Sequence, residues 1–362
     1  VILKQLKFIR EKDLGFATHA RISVPLRTAS GKSAYDALRN ELLKNSFVKN
    51  VSAADYLPGL YWNDIILYKP GTSMENGALH FWNDVEFDFN KILDIRLIEG
   101  RTFSDNLESE QNKIIINEAS ARALGFTPLQ AIGQKIRQTI FKDANGALVE
   151  YEVIGVMQDF HRSSLHDQIA PALFKLTTTA PWETFNHMIV KIDEKNLSGA
   201  IADIEKIWKD KVDDTPFEYS FLDENLQSLY QEDRRQARIV AVFTVITFVV
   251  SCLGLFGLSS YLAERRVKEI GIRKVMGASV NQIMGLMSKE FLKLVLIAIG
   301  LAIPLTSYAM SQWLERFAYK TSIGPLVFLY GGLAAIVIAL LTVSFQSFRA
   351  AIQDPVKALR NE

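Results

Sequence analysis

Three long runs, residues 239–262, 294–314 and 323–348, contain no Asp, Glu, Lys, Arg or His. Each is long enough to cross a hydrocarbon core of about 30 Å. Three such runs so close together could not easily be buried in a soluble fold, so the pattern predicts three membrane-spanning helices. Pumps, ion channels and intramembrane proteases need ionisable groups at membrane depth, and these runs offer none. Small residues recur at helical spacing: Ala298, Ala302 and Thr306 in the second run, and Gly331, Ala335 and Ala339 in the third. They allow close backbone approach and are assigned to helix packing. Pro304 removes a backbone donor and predicts a kink.

Before residue 239 the pattern is that of a water-exposed α+β domain, residues 1–223. "ARISVPL", "KSAYDALRNELLKN" and "VKNVSAADYL" read as strand, amphipathic helix and strand. "NHMIVKID", "LSGAIADIEKIWKDKV" and "FEYSFLD" repeat that order, with Ile201, Ile204, Ile207 and Trp208 on one helical face. Together they predict a split βαβ subdomain, about residues 20–58 and 186–223, one sheet backed by two helices. The intervening insert, about residues 59–185, is β-rich. There "DVEFDFNKI" alternates as a half-buried strand. "NKIIINEASARALG" reads as a strand followed by a helix starting near Asn117 and stopped by Gly125. "DANGALVEYEVIGVMQDF" reads as a hairpin turning at Asn145-Gly146.

Residues 224–238 read as a stalk. The sequence has no Pro or Gly between Asp223, a plausible N-cap, and Gly254. A continuous helix from about Glu224 to Leu262 would be about 58 Å long and stiff, unlike a Gly/Ser linker. The segment after the first span is the charged "YLAERRVKEIGIRKVMGASVNQI". On a helical wheel Val267, Ile270, Gly271, Val275 and Ala278 share one side, and Arg265, Arg266, Glu269 and Arg273 gather on another. Gly277 is a natural C-cap, and Ser279 with Gln282 forms a capping-box pattern, so the loop reads as helix, break, helix. Two readings stand: an amphipathic segment snorkelling at the lipid surface, or a docking helix for a cytoplasmic protein, which the mixed Arg/Glu face favours.

Arg265, Arg266, Lys268, Arg273, Lys274, Lys289 and Lys293 lie between the first two spans, and Arg349, Lys357 and Arg360 follow the third. Only Arg316 and Lys320 lie between the last two. The excess places the charged loop and the tail in the cytoplasm and the N-terminal domain outside. Arg234, Arg235 and Arg238 run against this, but long translocated domains are exempt from the rule.

The 362 residues suit two domains, and a net charge of +1 gives no electrostatic footprint for nucleic acid. The single cysteine, Cys252, lies inside an apolar run and reads as packing; neither a disulfide nor a Cys-based metal site is available within the chain. Asp159, His161, His166 and Asp167 cluster in "DFHRSSLHDQ", but their spacing matches no common zinc motif and reads as a solvated loop. Ser163 and Ser164 lack the nucleophile-elbow context. No phosphate-binding Gly-x-x-x-x-Gly-Lys-Ser/Thr occurs, so ATP hydrolysis is not expected of this chain, and no catalytic residue, cofactor or metal is assigned. The chain starts at Val1 rather than Met, which suggests a fragment lacking an upstream part.

"ERRVKEIGIRKVMGAS" closely resembles the signature of FtsX-like ABC permeases, the family that includes macrolide exporters and lipoprotein-release permeases. "NEASARALG", "VIGVMQDFH" and the tail "DPVKALR" resemble the branch with a MacB-like periplasmic core domain; Asp354 stands where many relatives carry Asn. The resemblance implies an inner-membrane protein with four membrane helices, so a first span would be missing here. It implies a coupling helix at residues 264–278 that docks on a separate cytoplasmic ABC ATPase subunit. The residues so assigned are Glu264, Arg265, Arg266, Glu269, Ile270, Gly271, Arg273, Lys274, Gly277 and Ala278. It also implies pairing with a second permease half or copy, lipid around residues 239–362, and room for a periplasmic partner. The competing class is a membrane-anchored receptor with an outer ligand-binding domain, which would need no ATPase contact; a hydrolase would need a nucleophile–base pair that is not found.

Overall fold

A computed structural model describes residues 2–143, 145–177 and 185–352; the tail motif 354–360 lies outside the described residues. The chain forms two compact units. One is Glu11–Gln231, and the other joins the residues up to Arg10 to those from Glu232 onward.

The first unit carries β1 (Arg21–Pro25), β2 (Val48–Ala54), β3 (Asn63–Tyr68), β4 (Ala78–Val85), β5 (Leu97–Gly100) and β6 (Lys113–Asn117). It continues with β7 (Lys135–Lys142), β8 (Leu148–Met157), β9 (Ala172–Leu176), β10 (His187–Ile192) and β11 (Ser220–Phe221). At one end the order is β11-β1-β10-β2. β1 and β2 both pair antiparallel with β10, so they are parallel to each other across it, the split βαβ arrangement read from the sequence. Helices Tyr35–Leu42 and Leu197–Lys211 cover one face. Their Tyr35, Leu38, Leu42, Ala200, Ile204 and Trp208 recur every three or four residues and pack on Ile22, Val24, Val51, Met188 and Val190.

The β-rich insert closes on itself. β4 pairs with β3, β3 with β7, β7 with β8, β8 with β6, β6 with β9, and β9 returns to β4. Closure pairs the strand edges that an open sheet would expose. Alternation sorts the strands' residues: Ile114 and Ile116 join Ile65, Leu67, Ile136, Tyr151, Val153 and Leu173 in the enclosed core. Ile115 points the other way, into a core with Trp62, Phe89, Phe160, Phe174 and Ile189 of β10. β10 is therefore buried on both faces, which explains the consecutive apolar residues Met188, Ile189 and Val190 at its centre.

His80, on β4, is fully buried, and its Nδ1 donates to the Ala78 carbonyl at 2.7 Å. Burial holds its pKa down at about 4. The folded value lies below the unfolded one, so this group's contribution is present above about pH 6.5 and is lost as pH falls toward 4. His161 and His187 are held at about 4 by burial as well, and the buried Glu86 carboxyl, raised to about 7, acts in the opposite sense. The expected result is therefore a difference: the denaturation midpoint of the His80→Gln variant should fall less from about pH 6.5 to about 4 than that of the unaltered chain.

Two expectations fail here. "DVEFDFNKI" is not a strand: β4 stops at Val85 and Phe89–Ile92 is a single helical turn. Tertiary contacts take the residues after Val85. The Glu86 amide donates to the Ala53 carbonyl at 3.0 Å, and its carboxylate accepts from the Tyr35 hydroxyl and pairs with Arg39 at 3.0 Å. Burial raises the Glu86 carboxyl to about 7. The continuous stalk helix fails too. Leu222–Ser228 is one helix and Gln231–Arg265 another, with Leu229 and Tyr230 in a turn between them. The first begins after Phe221, not after an Asp223 cap, and its Leu222 and Leu226 are buried in the outer unit's core.

In the second unit, helices Gln231–Arg265, Val280–Leu314 and Pro325–Ile352 contain three segments long and apolar enough to cross a membrane. The chain's first helix, Ile2–Glu11, is tied to the loop between the last two of these. Gln5 Nε2 donates to the Tyr319 carbonyl at 2.7 Å, and Gln5 Oε1 accepts from the Thr321 amide at 2.8 Å. Lys4 donates to the Ser322 carbonyl at 3.3 Å.

Candidate functional site

The charged loop takes the form its capping residues dictate. A short helix, Val267–Val275, follows the end of Gln231–Arg265. Gly277 adopts φ +93°, and the Ala278 amide donates back to the Arg273 carbonyl at 2.9 Å, the long bond of a Schellman cap. Ser279 then opens Val280–Leu314 with a complete capping box: its Oγ accepts from the Gln282 amide, and its amide donates to Gln282 Oε1 at 3.0 Å. The helix is therefore fixed at its C-terminal end by backbone geometry. The expected range 264–278 is divided: Glu264 and Arg265 belong to the preceding long helix, and only 267–275 forms the short one.

Arg266 pairs with Glu290 on the following long helix at 3.0 Å. Arg273 pairs with Glu269 one turn back at 2.7 Å, and both stay exposed. Arg265 lies over the Tyr261 ring at 5.3 Å. Gly271 is buried and Ile270 and Ala278 are half-buried, while Glu264 and Gly277 are exposed. Lys274 belongs to the same short helix. The residues that stand out are two that the wheel did not group: Ile272 is 54 % and Met276 82 % exposed. At i and i+4 they share one face, beside the Glu269–Arg273 pair. Their spacing was visible in the sequence, but only the helix's seating shows that it turns Gly271 inward and Ile272 outward.

The small-residue stripe of the third span is placed differently from a contact with the second. Gly331 has nothing within 4 Å of where a Cβ would stand, whereas Gly332 faces Ile299 at 3.7 Å. Ala335 and Ala339 instead line an apolar cavity of about 730 Å³ with Ala298 and Ala302 of the second span and Thr247 and Cys252 of the first.

The Asp159–Asp167 loop does not gather its ionisable groups. Asp159 accepts from the Ala119 amide at 2.7 Å and pairs with Arg122, His161 is buried, and Asp167 accepts from Ser163 at 3.3 Å. Among the described residues no group of three or more His, Cys, Asp or Glu could hold a metal.

Residues 18–207, just over half the chain, match the MacB-like periplasmic core domain, and residues 241–355 match the FtsX-like permease C-terminal domain. The chain belongs to the FtsX-like permeases that carry a MacB-like periplasmic core domain. It is therefore a membrane protein with a periplasmic-type domain, as read from the sequence. The macrolide export ATP-binding/permease protein MacB of Chromobacterium violaceum is 24 % identical over 291 residues, covering 76 % of this chain and 42 % of that protein. MacB of Escherichia coli is 24 % identical over 341 residues, covering 89 % and 48 %. The chain spans about half the length of these relatives. The crystal structure of the periplasmic region of MacB from Actinobacillus actinomycetemcomitans covers 61 % of this chain and 98 % of its own, at 15 % identity and a TM-score of 0.42. The Chromobacterium violaceum and Escherichia coli relatives are both named as macrolide export ATP-binding/permease proteins.

Proposed function

We propose that this chain is the motion-transmitting component of an ABC exporter. A cytoplasmic ATP-binding subunit docks on the segment 264–278. Its ATP-driven closure moves the membrane helices, and the movement passes along the chain through Gln231–Arg265 to the outer domain, which expels or releases a substrate. The observation that carries this reading is the Ile272–Met276 pair: two large apolar side chains held in the open on a helix whose end is locked by a Schellman cap and a capping box. A helix whose apolar face lay only against its own span ends would have no use for that second, outward pair, and the Glu269–Arg273 pair beside it favours a protein partner over a lipid surface. The absence of ionisable residues from the spans favours mechanical transmission over a polar path through them. A second permease half or copy completes the assembly on this reading.

The test is co-purification. Tagged full-length chain is expected to bring down an ATP-binding subunit, and a chain with residues 267–275 replaced by a Gly/Ser segment to lose it. In a Cys252→Ser background, Met276→Cys should react with a membrane-impermeant thiol reagent only from the cytoplasmic side. Purification free of any ATPase would leave the receptor reading in its place, and labelling from outside would overturn the topology that both readings share.

A further inference from the structure

One loop of the outer unit, residues 158–167, grips the chain at both points where it connects to the membrane helices. The incoming segment, residues 12–16, is held on one side. The His161 amide donates to the Leu14 carbonyl at 2.8 Å, and Gln158 Nε2 donates to the Gly15 carbonyl at 2.7 Å. Phe16 meets Phe160 edge-on with ring centres 6.5 Å apart. Gly15 adopts φ +81°, and a Cβ there would stand 2.4 Å from the Asp159 carbonyl oxygen, so only glycine permits so close an approach.

The outgoing segment is held on the other side. The Leu165 amide donates to the Tyr230 hydroxyl at 2.8 Å, and the His166 and Tyr230 rings stack at 6.5 Å. The Arg162 carbonyl accepts from the Gly59 amide at 2.8 Å, and a Cβ on Gly59 would meet Leu226 at 3.2 Å. Tyr230 is the residue at which the stalk helix breaks.

The loop itself is pinned in its middle. Asp159 is tied to the Ala119 amide and to Arg122, the Arg162 guanidinium lies 3.7 Å from the centre of the Phe81 ring, and Leu165 is fully buried. Both crossings therefore rest on one short packed segment, the kind of contiguous network that carries coupling where coupling exists.

We propose that residues 158–167 form a yoke that couples the two connections, with Gln158 and Tyr230 as its positioning residues. Its role in transport rests on the function proposed above; the coupling itself does not. The helix that leads into the incoming segment is itself held within the membrane unit, where Gln5 is tied to the loop at residues 319–321.

The test is hydrogen exchange on the full chain in lipid nanodiscs, without nucleotide or ATPase. Tyr230→Phe removes only the hydroxyl, and Gln158→Leu only the amide. Coupling free energies are reciprocal. Tyr230→Phe should therefore speed exchange at residues 12–17, and Gln158→Leu at residues 226–230, each by about threefold to tenfold, the range for one lost hydrogen bond. Amides of β10 should be unchanged. Faster exchange confined to the mutated side would overturn the yoke, and so would a uniform rise that includes β10. Because no ATPase is present, loss of reciprocity with intact ATPase docking condemns the yoke alone. Lost docking with intact reciprocity condemns only the function.

Discussion

Ile272→Glu is expected to weaken binding of the ATP-binding subunit by about thirtyfold or more, with the fold of the chain unchanged. Ile272 is already 54 % exposed in the free chain, so a carboxylate there removes little of the packing that holds the fold. In a docked complex the same carboxylate would be forced into whatever apolar pocket receives the isoleucine, where an unpaired charge is costly. Anchors at the centre of an interface typically contribute about 2 kcal/mol or more on truncation, which corresponds to that factor. Met276→Glu should act in the same direction, since Met276 protrudes further from the same face. Arg273→Ala should do less, within about a factor of five, because the exposed Arg273–Glu269 pair is worth at most about 1 kcal/mol. Ile270→Ala tests something else: its side chain is half-buried, so any effect comes through the seating of the helix. Titrating the ATP-binding subunit onto the nanodisc-held chain measures these affinities, with thermal unfolding as the control. Unchanged affinity for both Glu variants would remove the docking role.

That ranking could not be made from the sequence, and the reason is general to this chain. Local rules predicted what local physics decides. The cap at Gly277, the Ser279–Gln282 box, the Asn117 start and the hairpin at Asn145-Gly146 each depend on a few neighbouring residues, and each is present. The split βαβ layer was legible because its helices carry one apolar stripe and its strands flank them in order. What failed depends on contacts between residues far apart in the chain. The alternation of Val85, Phe87 and Phe89 is real, yet Glu86 is captured by Tyr35 and Arg39, fifty residues earlier, and the strand ends. The stalk has no Gly or Pro to break it. It breaks because Leu226 is buried in the outer unit's core and the Tyr230 hydroxyl is held by Leu165. Barrel closure through β4 and β9 is equally non-local, since the two strands lie about ninety residues apart and meet in parallel. The outward turn of Ile272 belongs with these: periodicity gave the face, and packing chose which face is free.

Trp62→Ala should be the most damaging single substitution in the outer unit, at about 3–5 kcal/mol of its stability. Trp62 is fully buried between the barrel and the βαβ layer, with ring centres 6.0 Å from Phe160 and 5.9 Å from Phe174. Its Nε1 donates to the Leu57 carbonyl at 3.0 Å. Alanine removes three contributions together: the buried area, the aromatic contacts worth about 0.5–1.5 kcal/mol each, and the partner of a buried carbonyl. The three do not add in full, because Phe160 and Phe174 stack on each other at 5.5 Å and can keep that contact without the indole. Trp62→Phe separates the terms: it keeps most of the area, loses the hydrogen bond and should cost less than half as much. Trp208→Ala, in the core between the sheet and its helices, is the comparison. The two tryptophans belong to different clusters on opposite faces of β10, so their costs should add to within about 0.5 kcal/mol in the double variant if each face packs independently. A larger deviation would mean that β10, buried on both sides, transmits the loss from one core to the other. Denaturant unfolding of the full chain in nanodiscs, followed by far-UV circular dichroism, would give all four values. A cost for Trp62→Ala below about 1 kcal/mol would contradict the burial on which this core is argued.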